Sequence, residues 1–307
     1  MPAGRMHADE VETDVPLVRR LLAVQFPQWS DLPIEPVRSD GTDNALYRLG
    51  DDMVARLPLI HWAVGQVEKD HRWLPTLAPH VPLAIPVPLA RGMPGEGYPW
   101  PWSVRRWLPG ENATLDRLAD PRQAARQLAE FITALQQIDP TGGPAPGDLG
   151  RGVPLARRDE YTRTAIASCG TLIDADAVTA AWEADLNAPA WDRPSVWVHG
   201  DLGAQGAGNL LAVEGRLSAV IDFGTLGVGD PACELIVAWS LFEGGARGAF
   251  RAALSVDDAT WARGRGWALS VALVALPYYQ DTNPVIAAGS RHVIATVLAD
   301  HTRGAPL

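Results

Sequence analysis

The sequence predicts an α+β protein in two lobes, an N-terminal antiparallel sheet lobe over residues 1–108 and a larger, mainly helical C-terminal lobe over 109–307. Three observations carry that expectation. Short runs rich in β-branched and aromatic residues cluster before Pro109-Gly110, apolar positions recur at helical spacing after it, and one strand-like stretch, Val196 to Asp230, interrupts the helical part. At 307 residues, 47% hydrophobic and 20% charged, the chain has apolar surface enough for a large core or two lobes.

In the first lobe, Val15, Val18, Leu21, Leu22 and Phe26 recur at helical spacing, Thr13 or Asp14 can cap the start, and Pro27 ends the helix. Ile34–Ser39 and Ala45–Leu49 read as strands around the turn-rich Ser39-Asp40-Gly41-Thr42-Asp43-Asn44. Met53–Pro58 is a third strand, entered through Asp51-Asp52, and a helix lies between Trp62 and Leu77. Pro82, Pro86 and Pro88 precede a short strand, Met93 to Gly97 make a turn, and Trp102–Leu108 is the last strand, stopped by Pro109-Gly110.

In the second lobe, Leu118, Ala125, Leu128, Phe131, Ile132 and Leu135 give Leu115–Ile138 an amphipathic period, with Asp116 near its start. Residues 139–155 are rich in Pro and Gly and form a loop too long for simple packing; such loops are often functional or mobile. Arg157–Ala167 and Asp174–Leu186 are helices. Asp230-Pro231 starts another through Phe242, with Asp as N-cap and Pro at the first helical position. Trp261–Tyr279 and Pro284–Leu298 complete the set. Trp29, Trp62, Trp73, Trp191 and Trp261 fall where helix or core packing accounts for them.

The stretch between Val196 and Asp230 carries the chemistry. Val196-Trp197-Val198 runs into His199-Gly200-Asp201, and two further apolar runs, Asn209–Val213 and Leu217–Ile221, flank the turn Glu214-Gly215-Arg216. The second run ends in Asp222-Phe223-Gly224, so the hairpin brings Asn209 and Asp222 near one end. Phosphoryl transfer from ATP needs oxygen ligands for Mg²⁺ and a separate carboxylate that orients the attacking hydroxyl and takes its proton. Asp201 fits the second task; Asn209 and Asp222 fit the first. Either triplet alone is an ordinary turn closing a strand. Their order, with an intervening Asn, favours the chemical reading.

With these residues in this order, the chain resembles the aminoglycoside phosphotransferase family, antibiotic kinases that share the protein-kinase-like fold. The resemblance implies a two-lobed kinase-like architecture and ATP-dependent O-phosphorylation of a small molecule, with Asp201 as catalytic base, Asn209 and Asp222 as metal ligands, and ATP (or GTP) with Mg²⁺ as cofactors. It implies a nucleotide-positioning loop at Gly41, Thr42 and Asn44, where small residues let backbone N–H groups approach phosphate oxygens; a plain hairpin turn accounts for the same residues equally well. Arg56 stands where most of the family has a phosphate-binding Lys, and a guanidinium keeps its charge when partly buried and offers two N–H groups to a phosphate. Glu68 is the best match for its acidic helix partner, with Asp70 second. The hinge that would hold adenine falls at Arg106, Trp107 and Leu108. One feature departs from the pattern: in the family Asn follows the catalytic Asp by five positions, whereas Asn209 follows Asp201 by eight, as if a three-residue unit had been added.

The resemblance points first to an aminoglycoside as acceptor, hence to a small, cationic, hydroxyl-bearing partner. Alternatives are a kinase for a macrolide, another antibiotic or a small metabolite, and, in a different class, a non-catalytic nucleotide-binding protein. Candidate acids for a cationic acceptor are Asp159, Glu160, Glu234, Glu243, Asp281 and Asp300, although each is read more simply as a solvated helix residue. A net charge of -10 argues against nucleic acid and anionic membrane as partners. Cys169 and Cys233 lie far apart without metal-ligand spacing, as expected of buried thiols in a reduced, cytoplasmic setting. No apolar run reaches the roughly 18–20 residues of a membrane span, and residues 1–12 lack a signal-peptide core.

Overall fold

Alternation along a strand decides which side chains face the core and which face a covering helix, and it organises the first part of this protein. The computed structural model describes residues 10–37, 43–203 and 208–304. Gly41 and Thr42 of the expected phosphate loop lie outside the described residues, as do Ala204 to Ala207 of the long segment after Asp201. The chain divides into two units, residues 1–79 with 84–109, and residues 80–83 with 110–307.

The first unit comprises α1 (Val15–Gln25), β1 (Ile34–Pro36), β2 (Asn44–Leu49), β3 (Met53–Pro58), α2 (Val64–Leu77), β4 (Pro88–Gly92) and β5 (Trp102–Arg106). Its strands form one antiparallel sheet in the order β1-β2-β3-β5-β4. Asp14 caps α1, its Oδ1 accepting from the Leu17 N–H at 2.7 Å. Leu17, Val18, Leu21 and Leu22 of this helix are buried in one core with Met53, Ala55 and Leu57 of β3 and Trp102 and Val104 of β5. Period-two alternation therefore turns Val54 and Arg56 to the opposite face, together with Ser103 and Arg105, their cross-strand partners.

The second unit opens with β6 (Glu111–Asn112), α3 (Pro121–Gln137), α4 (Asp159–Cys169) and α5 (Ala175–Leu186). Next come β7 (Val196–Val198), β8 (Leu210–Val213), β9 (Arg216–Val220) and β10 (Gly227–Gly229), followed by α6 (Val237–Ser240), α7 (Gly244–Leu254), α8 (Asp258–Tyr279) and α9 (Pro284–Gly304). Helix α3 starts later than the sequence suggests. Its cap is Asp120, which accepts from the Arg122 and Gln123 N–H groups, and Pro121 supplies the first turn. The preceding segment is held elsewhere, by the Ala119 N–H donating to Gly215 O at 3.0 Å.

Asp230 does cap the run after β10, but Pro231–Ile236 is a 3₁₀ helix, and only Val237–Ser240 is α-helical. The cap is tied down by a buried ion pair: Arg263 on α8 places Nε 2.9 Å from Asp230 Oδ2. The loop over residues 139–155 is not loose. Val228 N–H donates to Pro144 O at 2.9 Å, Asp230 N–H to Gly152 O at 2.8 Å, and Trp197 Nε1 to Asp139 O at 3.0 Å. Both cysteines are buried and free. Trp62 is exposed rather than packed, its Nε1 donating to Asp43. No described helix is long and apolar enough to cross a membrane.

Candidate active site

Strand β7 pairs with β10, and the chain leaves it through Gly200 at φ +80°. A Cβ at that position would sit 2.4 Å from Arg151 Cβ, so glycine serves both the turn and the close approach of the 139–155 loop. His199 is fully buried and fixes the turn. Its Nε2 donates to Ile221 O at 3.0 Å, its Nδ1 accepts from the Asp201 N–H at 3.2 Å, and Phe223 stands edge-on to its ring. Thr225 Oγ1 donates to His199 O.

Asp201 thus emerges half-buried at a strand end, and two groups meet its carboxylate. Arg151 Nη2 lies 3.1 Å from Oδ1, while Arg151 Nε donates to Gly200 O at 2.8 Å. Asn209 Nδ2 donates to Asp201 O at 2.7 Å and to Oδ2 at 3.2 Å. The eight-position separation therefore still leaves Asn209 on Asp201. In the β8–β9 hairpin the Ile221 N–H donates to Asn209 O, which sets residues 209 and 222 at the same end. Asp222 is exposed, in the left-handed conformation at φ 57°, with Oδ1 accepting from the Gly224 N–H.

These residues suit Mg²⁺. The ion takes octahedral oxygen ligands, keeps several waters, and is held by one or two protein oxygens plus substrate phosphates, not by an all-protein cage. Asn209 directs its amide N–H groups at Asp201, which leaves Oδ1 for a cation, and Asp222 presents an exposed carboxylate from the adjoining turn. No group of three or more His, Cys, Asp or Glu side chains able to hold a metal occurs among the described residues.

Beneath the turn lies Glu234, expected from the sequence as a candidate acid for a cationic acceptor and found instead inside the protein. It is 1% exposed, and one carboxyl oxygen accepts from the Gly200 N–H. Its other oxygen has no hydrogen-bond partner among the described residues. Burial, reinforced by the nearby Asp201 charge and opposed by hydrogen bonds from the Gly200 and His199 backbone, pushes its pKa up to about 8. Arg151 was invisible in the sequence, because its role depends on how the long loop folds back on β10.

In the first unit, the acid opposite Arg56 is Asp70 rather than Glu68. Arg56 Nη1 lies 3.3 Å from Asp70 Oδ2 and its Nη2 donates to Gln66 Oε1 at 2.6 Å; Arg105 Nη2 reaches the same Asp70 oxygen at 2.6 Å. Gln66 and Asp70 are four apart and share a face of α2, whereas Glu68 is two positions off and points to solvent, where it pairs with Arg91. Asn44 begins β2, its amide oxygen buried without a hydrogen-bond partner among the described residues. At the end of β5 the Arg106 N–H donates to Val87 O at 3.4 Å and the Trp107 N–H to Asp52 O at 2.7 Å, with Leu108 following.

The fold recurs in solved structures at low sequence identity. The GDP and kanamycin complex of APH(2")-IIia superposes with a TM-score of 0.73 at 20% identity, covering 94% of this chain and 99% of that one. The GDP complex of wild-type aminoglycoside 2'-phosphotransferase-IIIa gives 0.74 at 18% identity, covering 94% of this chain and 100% of that one. The apoenzyme of a macrolide 2'-phosphotransferase from Brachybacterium faecium gives 0.60 at 22%, covering 91% and 97%. No curated protein matches significantly by sequence. The profile described as "Phosphotransferase enzyme family" matches residues 34–267, and the chain belongs to that family.

Proposed function

We propose that this protein transfers the γ-phosphoryl group of ATP or GTP to a hydroxyl of a small molecule. The observation that carries the reading is the convergence of Asp201, Asn209 and Asp222: one carboxylate held by Arg151 and Asn209 at a strand end, with two further oxygen donors beside it on one hairpin. Asp201 orients the acceptor hydroxyl and takes its proton as the new P–O bond forms. Asn209 and Asp222 hold Mg²⁺, which when bound neutralises charge on the nucleotide phosphates. Glu234 and His199 do not touch the reacting atoms; they fix the turn from which Asp201 projects. Arg56 supplies a phosphate contact for the nucleotide, oriented by Asp70 and Gln66, with Gly41, Thr42 and Asn44 as loop contacts and Arg106 and Leu108 beside the base.

Membership of the family and the likeness to aminoglycoside and macrolide phosphotransferases support a small-molecule acceptor. An aminoglycoside, the acceptor the resemblance suggests first, and a macrolide therefore head the screen. The test is transfer of phosphate from labelled ATP and GTP to aminoglycosides, macrolides, amino alcohols and hydroxy acids, with the product identified by mass. A phosphoester of any of these acceptors supports the reading. Tight nucleotide binding with no transfer to any acceptor would favour a non-catalytic nucleotide-binding protein.

A further inference from the structure

A cavity of about 670 Å³ opens in the second unit between α4, α8 and the loop that precedes α4. That volume suits a small ligand. Its body is apolar, formed by Ala165, Val271, Val274 and Pro277, with the rings of Tyr161 and Tyr278 at its exposed rim. Its polar end holds two arginines, Arg151 and Arg158, and no carboxylate is found among its lining residues.

Arg158 is the unusual member. It is 3% exposed, its Nε donates to Ser270 Oγ at 2.9 Å and its Nη1 to Leu149 O at 2.8 Å, and its guanidinium lies over Trp267 and against Tyr161. No carboxylate pairs with it among the described residues, although every other buried arginine described, Arg56, Arg105 and Arg263, has one. Burial and the like charge of Arg151 bring its pKa down to about 10, so it stays charged at neutral pH. Buried cations are ordinarily paired, and a guanidinium left without an anion in the wall of an open cavity is a place for an anion to bind. Arg151 links this cavity to the proposed base, because it lines one and hydrogen-bonds the other.

Three of the six acids expected to meet a cationic acceptor are engaged elsewhere. Asp159 accepts from Arg163 and Trp182, Glu234 is buried under Gly200, and Asp300 pairs with Arg247 and Arg265. We infer that the acceptor is a hydroxyl-bearing organic anion, a hydroxycarboxylate with an apolar or aromatic body, whose carboxylate pairs with Arg158 and whose hydroxyl meets Asp201. The inference rests on the kinase reading above and reverses the charge first expected of the acceptor. In the reaction, the acceptor oxygen bonds to the γ-phosphorus and its proton passes to the Asp201 carboxylate. The bond from the γ-phosphorus to the bridging oxygen breaks, and the nucleoside diphosphate leaves with that electron pair.

The test uses mandelate, tropate and hydroxymethylbenzoates, each beside its methyl ester and the matching amine, with binding followed by saturation-transfer NMR and transfer by labelled ATP. The acids are expected to bind wild-type protein about tenfold or more tighter than their esters and to be phosphorylated, a preference of the size a charge-assisted contact provides. Arg158→Gln is expected to erase the preference and Arg158→Lys to retain part of it; the ester comparison on wild type needs no variant. Acids that bind no tighter than esters or amines overturn the inference and leave the kinase reading standing. Acids that bind while no acceptor of any class is phosphorylated overturn both the kinase reading and the acceptor assignment.

Discussion

Arg151 Nη2 stands 3.1 Å from Asp201 Oδ1 while its Nε holds Gly200 O at 2.8 Å, so one guanidinium fixes both the side chain and the backbone of the proposed base. A pair made in this way is a positioning device. Arg151→Gln is expected to lower kcat by about tenfold, the scale of one charge-assisted hydrogen bond, with little change in the KM for nucleotide, and Arg151→Lys to recover part of the loss. Steady-state kinetics in which both variants match wild type would remove Arg151 from the account.

Asp70 neutralises two buried arginines with one carboxyl oxygen, whereas Glu68 makes its pair with Arg91 in solvent. Asp70→Asn is therefore expected to cost about 3–5 kcal/mol, the range for breaking a buried pair and leaving its partners unpaired. Glu68→Gln is expected to cost roughly 0–1 kcal/mol. Urea unfolding of the two variants separates these roles. Equal losses would contradict the pairing of Asp70 with Arg56 and Arg105.

Arg56→Gln tests the proposed phosphate contact. Weakening of nucleotide binding by about 1.5–3 kcal/mol is expected, with acceptor binding unchanged. Arg105→Gln, which disturbs the same Asp70, is the control for a merely structural effect. Titration with ATP that shows equal losses in both variants would place Arg56 in the fold and not at the nucleotide.

Glu234 makes a pH-dependent contribution whose direction follows from its raised pKa. The folded chain holds a proton up to about pH 8 that the unfolded chain, at the ordinary value of 4.5, has already released. The contribution is complete below that window and is lost as pH rises through it. Glu234→Gln keeps an acceptor for the Gly200 N–H and cannot titrate. The melting temperature of wild type relative to this variant is therefore expected to fall between about pH 5 and pH 9. A constant difference across that range would contradict the raised pKa.

Much of this was legible in the sequence because it depends on local pattern. Met53–Pro58 is a short, mostly apolar run entered through the Asp51-Asp52 turn, and the structure returns that strand with the same ends. The hairpin between Asn209 and Asp222 announces itself by Glu214-Gly215-Arg216, both of whose first two residues take positive φ. What was missed depends on phase or on long-range packing. Glu68 and Asp70 lie on one helix, and only the facing strand decides which of them turns inward. Helix α7, Gly244–Leu254, is rich in Gly and Ala and buries only Ala246 and Phe250, too few to mark a period. Arg151 sits among prolines and glycines, and it reaches Asp201 because the loop around it is tied back, Pro144 O accepting from Val228 of β10 and Gly152 O from Asp230. Arg158, read simply as part of a helix, gains its meaning from the absence of a paired acid among the described residues, which no sequence pattern displays.

The most direct test of the central claim follows ATP consumption and phosphoester formation together, by phosphorus NMR, for wild type and Asp201→Asn with the best acceptor from the screen. Wild type is expected to form phosphoester and nucleoside diphosphate in equal amounts, and the substitution to lower the rate by about 10²-fold or more while the melting transition persists. Equal rates of phosphoester formation by wild type and Asp201→Asn would contradict the claim.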